Sequence, residues 1–367
     1  DFEIEIHEIG KFINPNLENI LKRNFSYINT KSFDSFRDWK VYLLNMINLS
    51  DKNLFVINFV DWVNFNSFRV NYFLKKNKSI KVIEFSRYVH PFLESSPIEF
   101  SRLLYLIKTA ILNFKKIKIY FSSKFLQLFK NYFKIFPDYL ITTGNKKEFL
   151  NQKKNGVKLI NGNSYDYNLY LKNNFNLNLN KANVGIYLDS PTPIYDNDNI
   201  LMASNKKNFG TPEKWYSSLN LFFNFLENLK NIQIMIAPHP KVKYEKKNLK
   251  YYFNRKFCCQ PLVEAAKTSK LLIGRNSAGF SYAAIYKIPA IFVYSNELKQ
   301  SKSSILHEQR YFANETGLSP INIDEPLNEN KINQLLSFDK KTYNQYLEKY
   351  LTSRKDKKTN HEIIADL

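Results

Sequence analysis

His239 stands between two prolines in Ile232–Lys241, IQIMIAPHPK, and Arg275, Asn276 and Ser277 stand together in Leu271–Ser295, LLIGRNSAGFSYAAIYKIPAIFVYS. An imidazole with an ammonium beside it, here Lys241, can neutralise charge growing on a phosphate leaving group. A serine ahead of a small-residue helix can cap it, and the free N–H groups at such a start attract anions. Both clusters follow short apolar runs of the kind that form buried parallel strands. Pro238 and Pro240 offer no N–H to a ladder, so the chain must leave the sheet at His239. Open α/β sheets bind ligands at the carboxyl ends of their strands. The pattern is a grip for the phosphate of a nucleotide, with Pro240 fixing the turn. The plainer readings are a surface histidine in a strand-exit turn and an ordinary N-cap worth ~1 kcal/mol.

Further polar residues fall at strand ends. Asp189 and Ser190, in YLDSPTPIYDND, end the run Val184–Leu188 and could touch the same ligand or form a bare Asx turn. Glu264 could accept from a ribose hydroxyl or be a solvated helix residue. A transfer to an acceptor hydroxyl needs a base to take its proton, unless configuration is retained. Asp61 in VINFVDW, then Glu84 and His90 in IKVIEFSRYVHP, lie at or just after strand candidates, and Asp166 follows Ile160. Each also reads as a cap or a surface group. Spacing does not choose among them.

The elements needed to position these residues are legible. In the first half, strands are expected at Phe2–Ile9, Leu54–Val60, Ile80–Phe85, Ile117–Phe121, Tyr139–Thr143 and Val157–Ile160. Helices are expected at Phe33–Ile47, Phe65–Lys76, Ser101–Phe114 and Lys124–Phe136. Tyr167–Ala182, rich in Asn and Leu, reads as the interdomain connection. A second series follows: Val184–Leu188, a helix at Pro212–Leu229, Ile232–Ile236, a helix near Pro261–Lys267, Leu271–Gly274, a helix at Gly279–Tyr286 and Ala290–Tyr294. It closes with a helix around Ser304–Asn314 and a short strand at Ile321–Ile323. Thr211-Pro212-Glu213 is a sound helix start. Lys331–Ser353 reads as two helices ahead of the basic stretch Arg354–Lys358. Alternating strand and helix imply right-handed βαβ units. We therefore expect an α/β fold with two Rossmann-like parallel-sheet domains facing across a cleft. The boundaries are 1–170, a linker at 171–182, a nucleotide-binding domain at 183–328, and helices with a basic tail at 329–367. The chain enters a strand-like run almost at once from Asp1, so a start further upstream is expected.

Composition narrows the function classes. With 367 residues, 44% hydrophobic and 16% aromatic, the chain can build large cores. No apolar run reaches the roughly 18 residues of a membrane span. Nine glycines, no Walker A sequence and no G-x-G-x-x-G after a strand argue against a glycine-rich phosphate loop. Cys258 and Cys259 are adjacent and alone, which excludes a metal framework built on cysteine and suits a cytosolic protein. The net charge is +21, and Ser101–Pro137 holds eight Lys or Arg and nine Phe or Tyr with no Asp or Glu. Such a segment suits an anionic membrane surface, lipid-linked phosphates or nucleic acid. No helix-turn-helix, zinc finger or RNA-reading motif is evident.

The apolar-strand H-P motif, paired with a later strand–Ser–small-helix–K-x-P–strand pattern, resembles the GT-B glycosyltransferases of bacterial surface polysaccharides. The nearest groups are the bacterial sialyltransferases, the Kdo capsule-initiating transferases and the CDP-glycerol glycerophosphotransferases. The resemblance covers roughly residues 183–294. It implies that His239, Pro240 and Ser277 hold the donor phosphate and that no metal is required for the leaving group. The sialyltransferase acidic motif is not intact in the first half, and the second motif histidine of the CDP-glycerol polymerases is absent. The implied donor is a nucleotide-activated sugar, with a CMP-nonulosonate or CMP-Kdo ahead of UDP sugars, and no other cofactor. The implied acceptor is a surface glycan or a lipid-linked acceptor, met by a peripheral protein at the inner face of the membrane. The alternatives are a non-hydrolysing UDP-sugar epimerase of the same fold and a basic nucleic-acid-binding protein.

Overall fold

The computed structural model describes residues 4–13, 29–49, 54–60, 64–86, 125–126, 128–144, 153, 155–173, 182–190, 192–194, 211–240, 242, 244–301 and 304–367. They divide into two compact units. The first runs to Ile160, and the second begins at Asn161 and also takes Thr143 and Gly144.

The first unit contains β1 (Glu5–Glu8), α1 (Gly10–Ile13), β2 (Asn29–Ser32), α2 (Phe36–Leu49), β3 (Leu54–Ile57), α3 (Phe65–Lys76), β4 (Ile80–Phe85), β5 (Tyr139–Thr143) and β6 (Lys158–Gly162), whose last residues pass into the second unit. β1 and β2 form a parallel pair, and β3-β4-β5-β6 form a sheet in that order. Asn64 starts α3 with a reciprocal capping box to Ser67, so two otherwise orphaned N–H groups are satisfied. Trp39, Leu43, Val70, Leu74, Ile80 and Val82 form the core beneath that helix layer. The strand expected at Ile117–Phe121, the helix expected at Ser101–Phe114, and Asp61 and His90 lie outside the described residues.

The second unit contains α4 (Tyr165–Lys172), β7 (Val184–Leu188), α5 (Pro212–Lys230), β8 (Gln233–Ala237), α6 (Leu262–Thr268), β9 (Leu271–Gly274), α7 (Ser281–Tyr286), β10 (Ala290–Tyr294), α8 (Asn296–Gln300), α9 (Ser304–Glu315), β11 (Ile321–Asn322), α10 (Glu329–Leu336), α11 (Lys340–Tyr346) and α12 (Asn360–Ala365). Its five strands are ordered β11-β10-β9-β7-β8, and every pairing is parallel. Alternate residues of each strand enter opposite cores. Ile186, Leu188, Leu272, Ala290 and Phe292 pack into one layer. Tyr187, Leu271, Ile273, Ile291 and Val293 pack into the other. Because both faces are covered, these strands read as unbroken apolar runs. α5 places Trp215, Tyr216, Leu219, Phe222, Phe223 and Leu226 on one buried stripe. The fold class is therefore α/β, with two Rossmann-like parallel-sheet units.

The expected connection Tyr167–Ala182 begins inside α4, which Ser164 caps. Tyr167, Leu169 and Tyr170 of that helix pack on the core of the second unit, so their aromatic content serves packing there.

Candidate functional site

Strand register builds the site. Leu188 lies opposite both Ala237 and Gly274, so the residues that follow β7, β8 and β9 leave the sheet at one level. They are Asp189, Pro238-His239 and Arg275. In this strand order the chain reverses direction between β7 and β9, and that point is where open α/β sheets leave a crevice for ligands.

Asp189 is buried. Its carboxylate accepts from the phenols of Tyr252 at 2.7 Å, Tyr244 at 2.8 Å and Tyr216 at 3.3 Å. Burial raises its pKa above the ordinary aspartate value, and the hydroxyls of Tyr252 and Tyr244 oppose that rise. Arg275 is buried too. Its guanidinium donates to the carbonyl of Thr192 at 2.6 Å and to the hydroxyls of Ser190 and Thr192. Gln309, fully buried on α9, donates to the carbonyls of Arg275 and Val293, each at 2.8 Å, and ties the ends of β9 and β10 together. These contacts turn the Asp189 carboxylate and one guanidinium nitrogen of Arg275 toward the protein. The Asp189 carboxylate and Arg275 Nη2 are committed there, where they shape the loop after β7, and Ser190 is drawn into the same bonds.

His239 is partly exposed and Pro240 exposed at the end of β8, while Lys241 lies outside the described residues. The His239 N–H donates to the phenol oxygen of Tyr244 at 2.7 Å, and its carbonyl accepts from the Val242 N–H at 3.0 Å, closing a turn. Asn276 is exposed and Ser277 partly so. Ser277 accepts from the Gly279 N–H at 3.2 Å and caps a three-residue 3-10 turn, Ala278–Phe280, which runs into the six-residue α7. The single helix expected from Gly279 is thus a tight turn followed by a short helix. Gly279 packs closely there: a Cβ on it would stand 2.6 Å from Leu262 Cδ2 and 3.2 Å from Leu188 Cδ1, so a larger residue would have to push those leucine side chains aside. Glu264 is exposed on the first turn of α6.

A second recess, of about 520 Å³, opens at the ends of β10 and β11. It is lined by Ser295, Asn296, Glu297 and Asp324 and by Glu213 and Lys214 of α5. Lys214 is paired with Glu297 at 3.1 Å. Three carboxylates against one paired ammonium disfavour phosphate there. An imidazole and a hydroxyl-bearing turn favour it beside β8 and β9.

In the first unit, Glu84 is the penultimate residue of β4. Its Oε1 accepts from Asn58 Nδ2 at 2.9 Å, and the same nitrogen donates to Asn71 at 2.6 Å. Burial lifts the Glu84 pKa above its usual 4.5, opposed by the charge of Lys130 and the Asn58 hydrogen bond. Asp166 lies on α4 in the second unit, with the hydroxyls of Tyr282 and Ser281 acting on it, and burial raises its pKa to about 6.

The sequence reading missed Tyr216, Tyr244, Tyr252, Thr192 and Gln309. The only signal was a tyrosine five residues beyond His239, in a chain with 24 tyrosines.

No family model matches the sequence, and no curated protein matches it. Solved structures do match. MnaA of S. aureus in a co-structure with UDP is similar at 11% identity and a TM-score of 0.45, over 92% of this chain and 82% of that one. An α/β-galactoside α-2,3-sialyltransferase of the luminous marine bacterium Photobacterium phosphoreum is similar at 12% and 0.44, over 83% and 88%. The wall teichoic acid polymerase TagF is similar at 14% and 0.39, over 80% and 71%. Identities this low carry no residue-by-residue correspondence.

Proposed function

We propose that this chain is a glycosyltransferase that moves a sugar from a nucleotide-activated donor to a surface-glycan or lipid-linked acceptor. The observation that carries this reading is the His239 turn, set at one level with the Ser277 turn beside the point where the strand order reverses. Two partly exposed polar turns at the ends of β8 and β9, which flank β7, held by buried groups behind them, suit a diphosphate or a phosphodiester. His239 donates to phosphate oxygen and offsets charge on the departing nucleotide. Ser277 and Asn276 add neutral donors, and Lys241 a positive charge. Glu264 accepts from a ribose hydroxyl. In the first unit, Glu84 is the described carboxylate suited to take a proton from an acceptor hydroxyl, because burial lifts its pKa toward working pH. A CMP-linked acidic sugar is the favoured donor on the sequence pattern, and a UDP sugar the alternative.

The acceptor side meets an anionic membrane surface. Phe125, Leu128 and Tyr132, within the acid-free stretch Ser101–Pro137, are 59%, 66% and 82% exposed, and residues 128–132 are helical. Apolar side chains bared on a basic segment suit a headgroup layer. Among the described residues no helix is long and apolar enough to cross a membrane. Co-sedimentation with anionic vesicles at low salt, lost at high salt, is the expected result. Indifference to such vesicles at low salt removes the membrane from the proposal.

The reaction class is tested by incubating the protein with CMP-, UDP- and GDP-sugars, with and without an acceptor extract. Free nucleotide released only with acceptor is expected. Conversion of a UDP sugar without acceptor identifies an epimerase, and no turnover beside tight nucleic-acid binding identifies the basic binding protein.

A further inference from the structure

Tyr244 joins the His239 turn of the proposed site to Asp189 at the end of the neighbouring strand β7. Its phenol oxygen accepts the N–H of His239 at 2.7 Å, and its own proton goes to Asp189 Oδ2 at 2.8 Å. Within Pro238-His239-Pro240 only His239 has an N–H to donate, so this bond is the one main-chain anchor through an N–H that those three residues can make. The far end of the link is fixed. Asp189 is buried, its N–H donates to the carbonyl of Ala237 at 3.1 Å, and its carboxylate takes the phenols of Tyr252 at 2.7 Å and Tyr216 at 3.3 Å as well. The ring of Tyr244 is held on edge against Tyr252, 5.9 Å away, and Phe257, 5.3 Å away. A phenol gripped at its ring and bonded at both lone pair and proton has one orientation.

We propose that Tyr244 is a positioning residue, which transmits the fixed place of Asp189 to the His239 turn and so sets where the imidazole points. This rests on the glycosyltransferase reading for its chemistry. Tyr216 and Tyr252 reach the same carboxylate, and their work is to hold Asp189. The consequence is specific. Removing the phenol oxygen keeps the packing of the ring and takes one of three phenols from Asp189, which Tyr252, Tyr216 and its own N–H still hold, while the turn loses its anchor. A misplacement of about 1 Å at a catalytic group costs on the order of 10²-fold in rate.

The test is Tyr244→Phe, read three ways. Amide hydrogen exchange should accelerate at His239 by tenfold or more, with Ile236 and Cys258, whose amides bond across β8, unchanged. Turnover should fall on the order of ten- to a hundredfold, with nucleotide affinity within about threefold, because the phosphate keeps its other donors. In a His239→Ala background the same substitution should cost nothing more in turnover, since its effect passes through that imidazole. Faster exchange along all of β8 means a general brace and overturns the proposal. So does a freed His239 amide with wild-type turnover, or a full additional loss in the His239→Ala background. If the wild-type protein turns over no sugar nucleotide, the glycosyltransferase reading fails. The exchange pattern with and without bound CMP or UDP then decides the link itself: an amide at His239 as protected in Tyr244→Phe as in wild type overturns it.

Discussion

The guanidinium of Arg275 lies over the indole of Trp215, 5.0 Å from the ring centroid, and both side chains are buried. The cation leaves water at the end of β9 and is compensated by the aromatic face and by oxygens of Ser190 and Thr192. Buried charge of this kind is tolerated only when its partners stay in place. Arg275→Met should destabilise the second unit by at least ~2 kcal/mol, since hydrogen bonds to a charged group are each worth ~1.5–3 kcal/mol. Arg275→Lys should recover little of that, because an ammonium lacks the planar fork. Denaturant unfolding of both variants measures this. A Met variant within ~0.5 kcal/mol of wild type would place the guanidinium elsewhere in solution.

Glu84 is expected to act ionised. Its pKa is raised by burial, so transfer should gain rate as pH climbs through a value above the ordinary 4.5. Glu84→Gln should lower turnover by ~10²–10⁴-fold, the range of a general base, and should erase that acid limb. A Gln variant that retains the limb assigns the proton transfer to another group, with Asp61 and His90 next in line.

Asp166 makes a stability prediction of opposite kind to a salt-bridged acid. Its pKa is about 6 folded against an ordinary 3.8. The folded protein therefore holds a proton that the unfolded chain has released between those values, and stability falls as pH rises from about 4 to about 6. Above that the penalty is constant, at most about 3 kcal/mol. Asp166→Asn should raise the melting temperature at pH 7, leave it unchanged near pH 4, and flatten the slope between. Equal effects at both pH values would show that the carboxyl is not buried against Tyr282 and Ser281.

The strands were readable because parallel strands covered on both faces cannot hide their apolar runs. Val184–Leu188, Leu271–Gly274 and Ala290–Tyr294 stand as expected from the sequence, and β4, β5 and α3 do as well. β2, with the sequence Asn-Thr-Lys-Ser, was invisible, since a half-exposed strand of polar residues has no apolar run to show. The site was legible as a set of strand ends. His239, Arg275 and Asp189 do share one level of the sheet, and that follows from register. Which of them faces outward was not legible. Asp189 and Arg275 are buried by tyrosines and a tryptophan brought from α5 and from the 3-10 turn at Lys246–Tyr252. Those contacts span 27 to 63 residues of chain, and local spacing carries no trace of them.

Titration of CMP, CDP, UDP and GDP into the wild-type protein, His239→Ala and Ser277→Ala tests the central claim most directly. A ligand that binds only the folded state also raises its melting temperature, so calorimetry and thermal shift should agree. One nucleotide should bind selectively to wild type, its affinity should fall about tenfold or more in each variant at unchanged fold, and turnover of His239→Ala should fall ~10²–10³-fold. Binding of none of the four, or binding that neither substitution weakens, would contradict a donor phosphate held between the His239 and Ser277 turns.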